Sequence, residues 1–255
     1  MSTQSEFRDK TVLITGASNG IGAETAALFG EAGARVIVHY NKAADQAATV
    51  LSRVRESGGD GQVLQGDLTT MAGCRELISQ IRGTGRSIDI LVNNAGSLIK
   101  RTPILQFTQE LWDQVMTLNL TSAFFLSQAV LPGMVEKKRG VIVNVGSIAG
   151  RNGGGMGASA YSIAKAAIST MTRSFAKEFS PHGIRVNCVS PGTIDTNYHR
   201  TFSTQAMLDS IAAATPMGRL GTAREVAEVI LFLCSCRSNF IQGQTIEVNG
   251  GFMMP

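Results

Sequence analysis

Thr15-Gly16-Ala17-Ser18-Asn19-Gly20-Ile21-Gly22 follows directly on the apolar run 11–15 and leads into a helix-patterned stretch, 23–32. Strand, glycine-rich turn and helix in that order make the opening unit of a dinucleotide-binding α/β fold. Gly16 permits the tight turn, Gly20 lets a pyrophosphate approach the backbone, and Gly22 lets helix and strand pack closely. The amides of Ser18, Asn19, Gly20 and Ile21 fall at the helix start, where free N–H groups favour an anion.

Outward from this turn, β-rich runs at 35–39, 62–66, 88–92, 141–145, 184–189 and 245–248 alternate with helical patterns at 45–57, 74–82, 110–130, 161–179 and 223–233. Several runs are unbroken Val/Ile/Leu, the pattern of strands covered on both faces. The alternation predicts an α/β fold: a Rossmann-type, doubly wound sheet of about seven parallel strands, helices on both faces, right-handed crossovers. No linker composition or internal repeat divides residues 1–255, so one domain is expected. Thr222-Ala223-Arg224-Glu225 predicts a capping box. The glycine-rich stretch 150–159 and the mixed stretch 193–215 have no clear period. Both follow strands, so both are expected to border the ligand crevice at the strands' carboxyl ends. With Tyr198, Phe202 and Met207, residues 193–215 read as a substrate lid.

Composition narrows the function. The formal net charge is +4 and the pI about 9.0. No long Lys/Arg run or aromatic interleaving points to nucleic acid, and Lys137-Lys138-Arg139 reads as a solvated helix end. A basic surface suits an anionic cofactor or substrate. Cys74, Cys188, Cys234 and Cys236 lack zinc or redox spacing, so structural thiols in a reducing compartment are expected, with no metal. Residues 1–10 are polar and charged, without an apolar signal core, and no uninterrupted apolar run is long enough to span a membrane. The expectation is a cytoplasmic protein.

Tyr161 and Lys165 are four apart on a helical pattern and share a face. A free tyrosine, with pKa about 10, is a poor acid–base group at neutral pH, and a neighbouring ammonium lowers that value. Ser147, after the fifth run, is placed to donate a hydrogen bond to a developing oxyanion.

The glycine spacing, Gly-x3-Gly-x-Gly, resembles the short-chain dehydrogenase/reductase family. So do Asn93-Asn94-Ala95-Gly96 after the fourth run, Asn119 in the next long helix, Ser147, Tyr161-x3-Lys165, and Pro191-Gly192 after the sixth run. The resemblance covers essentially the whole chain. It implies an oxidoreductase interconverting a carbonyl and an alcohol, with Asn119, Ser147, Tyr161 and Lys165 catalytic. It further implies that Lys165 binds the nicotinamide ribose and that Asn119 holds a proton-relaying water. The cofactor is expected along Gly16–Gly22, Asn93, Ala95, Gly96, Pro191, Gly192 and Ile194, with Asp67 and Leu68 near the adenine and Thr196 near the carboxamide. Thirteen residues separate Ser147 from Tyr161, where the family commonly has twelve, and the extra one falls in the glycine-rich stretch.

The second strand run leads into Tyr40-Asn41-Lys42, and no carboxylate occurs before Asp45. An acidic residue at this strand end would accept from a ribose 2′-OH and repel a 2′-phosphate. Its absence, with Lys42 adjacent, favours NADP(H) over NAD(H), although Asn19 stands where the family often places a basic residue. The nearest likeness is to the 3-oxoacyl-[acyl-carrier-protein] reductase branch, through residues 92–96, 218–221 and 248–251. That likeness implies a ketone substrate such as a 3-oxoacyl thioester and an acyl carrier protein as partner. Lys138 and His182 stand where the carrier-dependent members have arginines. Two alternatives remain open: a sugar or secondary-alcohol dehydrogenase working oxidatively, and a non-catalytic dinucleotide-binding protein. A homotetramer is expected, from apolar groups on more than one helix face (Phe124, Phe125, Leu126, Ile168, Met171, Phe175) and from the apolar ending 251–255.

Overall fold

The computed structural model describes residues 6–254; residues 1–5 and 255 lie outside the described residues, as do the side chains of 198–200, Tyr198 among them. Seven strands form one parallel sheet in the order β3-β2-β1-β4-β5-β6-β9. They are β1 (Thr11–Ile14), β2 (Arg35–Tyr40), β3 (Asp60–Gln65), β4 (Ile90–Asn93), β5 (Gly140–Val145), β6 (Ile184–Pro191) and β9 (Thr245–Val248). A two-residue pair, β7 (Ile194–Asp195) and β8 (Gly221–Thr222), lies outside that sheet.

Residue alternation along the strands makes two cores. Val12, Ile14, Val36 and Val38 join one cluster, Leu13, Ile37, Leu91 and Ile142 the other. The first is covered by α1 (Gly20–Glu31), α2 (Ala44–Glu56) and α10 (Ala223–Cys234). The second is covered by α3 (Met71–Gly83), α5 (Ser122–Glu136) and α7 (Ser159–Phe179). Val12, Leu13 and Ile14 have no exposed surface, which is why β1 reads as an unbroken apolar run rather than an alternating one. The strand order reverses between β1 and β4, and the glycine turn after β1 opens at this switch point.

The single long helix expected over 110–130 is interrupted. α4 (Gln109–Met116) passes through a π turn at Thr117–Thr121 before α5 begins. The cause is Asn119, whose buried amide Nδ2 donates to Val115 O at 2.8 Å and competes with the helix ladder. The combined run Gln109–Glu136 is, by length and composition alone, apolar enough to cross a membrane. Here it covers the sheet, with Leu126, Val130 and Met134 in the second core.

The two unassigned stretches also resolve. One begins with a short helix, α6 (Ala149–Asn152), and ends in glycine turns before α7. The other folds as β7, α8 (Asn197–Phe202) and α9 (Gln205–Ala214). The Thr222–Glu225 capping box forms as expected. The surplus of apolar groups on α5 and α7 is smaller than the sequence suggests, because Leu126, Ile168, Met171 and Phe175 are buried within the chain.

Candidate active site

A cavity of about 940 Å³ opens at the carboxyl ends of the strands. Its floor is the turn after β1. Gly16 takes a left-handed φ of +61°, which a Cβ would strain. A Cβ on Gly22 would lie 2.5 Å from Gly16 O, so the helix can start this close to the turn only as glycine. Asn94 Nδ2 donates to Thr15 O at 2.9 Å and Gly16 O at 3.0 Å, tying the turn to the end of β4. Gly16 N donates to His39 Nδ1 at 3.0 Å, and Ala17 N to His39 O at 2.8 Å. The other ring nitrogen, Nε2, lies 3.0 Å from Gly66 O. Since Nδ1 must accept, Nε2 carries the proton and donates to Gly66. Burial holds this imidazole neutral, with its pKa lowered from 6.5 to about 4.

Helix α1 starts without a side-chain cap: Asn19 makes no capping bond, and no acidic residue lies in the first turn. α3, α4, α9 and α10 are all capped by threonine. The open amides at 20 and 21 border the cavity beside Ser18 and Asn19, so this end keeps donors for an anion. Farther along the wall lie Asn41, Lys42 and Leu68 on one side, and Pro191, Gly192, Ile194 and Thr196 on the other. The bare helix start and the glycine-walled cavity fit a nicotinamide dinucleotide.

At the far end, Ser147 follows β5, and its Oγ accepts from Ala149 N at 3.1 Å. Tyr161 and Lys165, one turn apart on α7, face the same cavity. Lys165 is 3% exposed; its Nζ donates to Val145 O at 2.7 Å and lies 5.7 Å from the Tyr161 ring centroid. Burial lowers its pKa from 10.5 to about 8. Gly96 passes between Asn119 and Lys165: a Cβ there would be 2.8 Å from Asn119 Oδ1 and 2.9 Å from Lys165 Nζ. Asn119 itself is engaged with the backbone, Oδ1 accepting from Ser97 N at 3.1 Å and Nδ2 donating to Ser97 O at 2.8 Å. The carboxyl end of β5 and the start of α7 thus bring Ser147, Tyr161 and Lys165 to one cavity, while Asn119, buried in the π turn, does not line it and lies behind Gly96.

A family profile described as Enoyl-(Acyl carrier protein) reductase matches residues 16–253. The chain is 37% identical over 248 residues to the 3-oxoacyl-[acyl-carrier-protein] reductase of Escherichia coli K12, covering 97% of this chain and 99% of that one. It belongs to the short-chain dehydrogenase/reductase family. Two solved structures share the fold closely. One is the NADH-dependent reductase A1-R′ responsible for alginate metabolism, at 35% identity, TM-score 0.88, covering 98% of this chain and 99% of that. The other is a gluconate 5-dehydrogenase from Burkholderia cenocepacia in complex with NADP and tartrate, at 31% identity, TM-score 0.87, covering 98% of both. The chain is therefore an NAD(P)-dependent oxidoreductase of this family.

Not every residue expected at the site of this short-chain dehydrogenase/reductase faces the cavity. Asn93 is buried and turned to the α5 side, donating to Asn144 Oδ1 at 2.9 Å and Ser127 Oγ at 3.1 Å. The strand's two-residue period puts Val92 and Asn93 on opposite faces, which accounts for it. Tyr40 packs against the first core, and the cavity wall runs through Asn41 and Lys42 instead. Asp67 Oδ1 accepts from Asn41 Nδ2, Thr69 N and Thr69 Oγ1, so it organises the strand end rather than lining the wall. Gly22 acts through packing alone. Sequence reasoning missed His39 and Arg101. A histidine ending a buried strand was the signal for the first; nothing local signalled the second.

Proposed function

We propose that the chain is an NADP(H)-dependent carbonyl reductase that converts a ketone into a secondary alcohol. The observation that carries this is the meeting of Ser147, Tyr161 and buried Lys165 on the wall of one cavity with the bare glycine turn after β1. When bound, a reduced nicotinamide dinucleotide supplies a hydride to the carbonyl carbon. Tyr161 gives its hydroxyl proton to the carbonyl oxygen as charge develops there, and Ser147 Oγ–H donates to the same oxygen. The Lys165 ammonium stabilises the phenolate that remains and holds the ribose. Asn119, locked to Ser97 and Val115, keeps the π turn open beside Lys165, where a relayed proton reaches the site.

Preference for NADP(H) follows from the wall at Asn41 and Lys42, a polar amide and a cation where a carboxylate would repel a 2′-phosphate. Isothermal titration with each reduced cofactor tests it: NADPH binds at least about 10-fold tighter, as expected for one added charge-assisted contact. Equal affinities defeat the preference.

The reductase reading is tested by NADPH oxidation over a panel of ketones with wild-type protein and Tyr161→Phe. The variant keeps cofactor affinity, and its kcat falls by at least about 10²-fold. Near-normal turnover removes Tyr161 as the acid.

Lys138 and His182 adjoin the starts of β5 and β6, whose first residues pair as Gly140 and Ile184. That is the end of the sheet opposite the cavity, which weighs against a carrier-bound thioester reaching this subunit's site past those residues. An oxidative sugar dehydrogenase is the second reading, favoured by the gluconate 5-dehydrogenase likeness; it uses the same residues in reverse. The protein is read as a cytoplasmic homotetramer, with residues 193–215 as its substrate lid.

A further inference from the structure

Arg101 is half-buried and lines the cavity, in the loop that leaves β4. The path to it is unusual. Lys100 N donates to Leu98 O at 2.7 Å, closing a three-residue turn in which Ile99 has φ +62°. A β-branched side chain is rarely held in that conformation. The turn swings the chain so that Arg101 reaches across the mouth. Its Nε donates to Phe202 O in α8 and its Nη1 to Met156 O in the glycine-rich stretch, both at 2.9 Å. That stretch fits closely against it: Gly157 has φ +73°, and a Cβ there would lie 2.9 Å from Thr102 N. The extra residue between Ser147 and Tyr161 falls in this same segment.

Charge makes the arrangement informative. Lys42, Arg101, Lys165 and Arg219 are the cations on the cavity wall. Lys42 stands at the β2 end, Lys165 lies beneath Tyr161, and Arg219 is paired with Glu225 at 2.6 Å. Arg101 has no carboxylate partner among the described residues. A guanidinium presents five donors in a planar fork, and two of them are taken here by neutral carbonyls. Among the described residues none takes its Nη2 donors, and a planar carboxylate is the group that matches them.

We infer that Arg101 selects a ketone bearing a carboxylate, so that the substrate is a small, free oxo-acid rather than a carrier-tethered acyl chain. This rests on the carbonyl-reductase reading above. The brace from Arg101 ties together two flaps, α8 and the glycine-rich segment, which suits a ligand enclosed whole. A single guanidinium also matches a monoanion better than a phosphate dianion, which would call for further cations.

The test is kcat/KM for a series of linear oxo-carboxylates of increasing chain length, each paired with its primary amide, using NADPH and wild-type, Arg101→Met and Arg101→Lys proteins. Because Arg101 also braces the flaps, the readout is the acid-to-amide ratio, which a purely structural role leaves unchanged. In the wild type the ratio at the best chain length is at least about 10. It falls toward one in Arg101→Met and is partly kept in Arg101→Lys. A wild-type ratio near one across the series overturns the inference, as does a ratio that survives Arg101→Met; in both cases turnover of the amides leaves the reductase reading standing. If no ketone, charged or neutral, is reduced by the wild type, the reductase reading fails and takes this inference with it.

Discussion

At the scale of single residues, the positions read correctly from sequence are those where the backbone leaves no choice. Gly16 and Gly22 are required by a left-handed φ and by a 2.5 Å approach, so their spacing carries information without a structure. Asn93 was misplaced because a motif says which residues recur, whereas the pleat decides which way each points. The buried strand marked His39 as unusual, but its role was not legible for a related reason: it lies in two contacts, Gly16 N and Gly66 O, from segments distant in sequence. These contacts have a measurable consequence. The imidazole is neutral when folded, with a pKa near 4, against 6.5 when free. Between those values the unfolded chain binds the proton first, so stability is complete above pH about 6.5 and is lost as pH falls toward about 4. The shift corresponds to roughly 3 kcal/mol. Protonated Nδ1 would also face the Gly16 amide, donor against donor. Thermal unfolding followed over this range should therefore show a steeper acid loss for wild type than for His39→Asn, which cannot titrate. Parallel curves would show that the ring is not held neutral.

At the scale of elements, strands were legible where an apolar run dominates, as in the TVLI of β1 and the ILV of β4, and half-buried β9 was read to the residue. Helix interiors were legible too; their ends slipped, as at α1, which starts at Gly20 within the motif itself. The π turn was not legible, because it depends on one amide, Asn119, finding Val115 O and Ser97 O together. The segment 193–215 resisted assignment for a physical reason: its helices are short, and α9 is mostly exposed. In α9 only Leu208 is buried, while Met207 and Ile211 face the cavity and the helix is held at its start by the Thr204 cap. An element with so few buried contacts opens at low free energy. As a lid it should tighten when the cavity fills. Amide exchange in 205–214 is expected to slow on adding NADPH and to slow further with a substrate acid, while exchange in β1 and β5 stays unchanged. Arg101→Met, which removes the brace to Phe202 O, should speed exchange at the neighbouring turn. Exchange indifferent to both ligands would leave a rigid excursion instead of a lid.

At the scale of the whole molecule, the chain leaves apolar surface that its own fold does not use. Trp112 on α4, Phe124 on α5 and Ile163 on α7 are 36%, 39% and 49% exposed, on adjoining helices over one face of the sheet. Phe124 stacks edge-on against Phe125 and Phe175, so it is held in place while still presented to solvent. A second such group lies at the chain's end, where Met254 is 82% exposed, next to Phe252, which is 41% exposed and borders the cavity. The ending is not loose: Asn249 Nδ2 donates to Met253 O at 2.9 Å, and Gly251 N to Asn249 Oδ1 at 3.1 Å. A tail ordered by the Asn249 side chain, yet showing Met254 outward, suits burial against a second copy better than docking on its own subunit. Two distinct self-complementary faces on one chain generate D₂ symmetry, and so a tetramer. The two faces can be separated. Ending the chain after Gly251 should leave the helix face intact and convert tetramers into dimers by light scattering, with Trp112→Ser combined with Phe124→Ser acting on the other interface. Truncated protein that remains tetrameric would free the tail from any part in assembly, and full-length protein measured as a monomer would defeat both faces together.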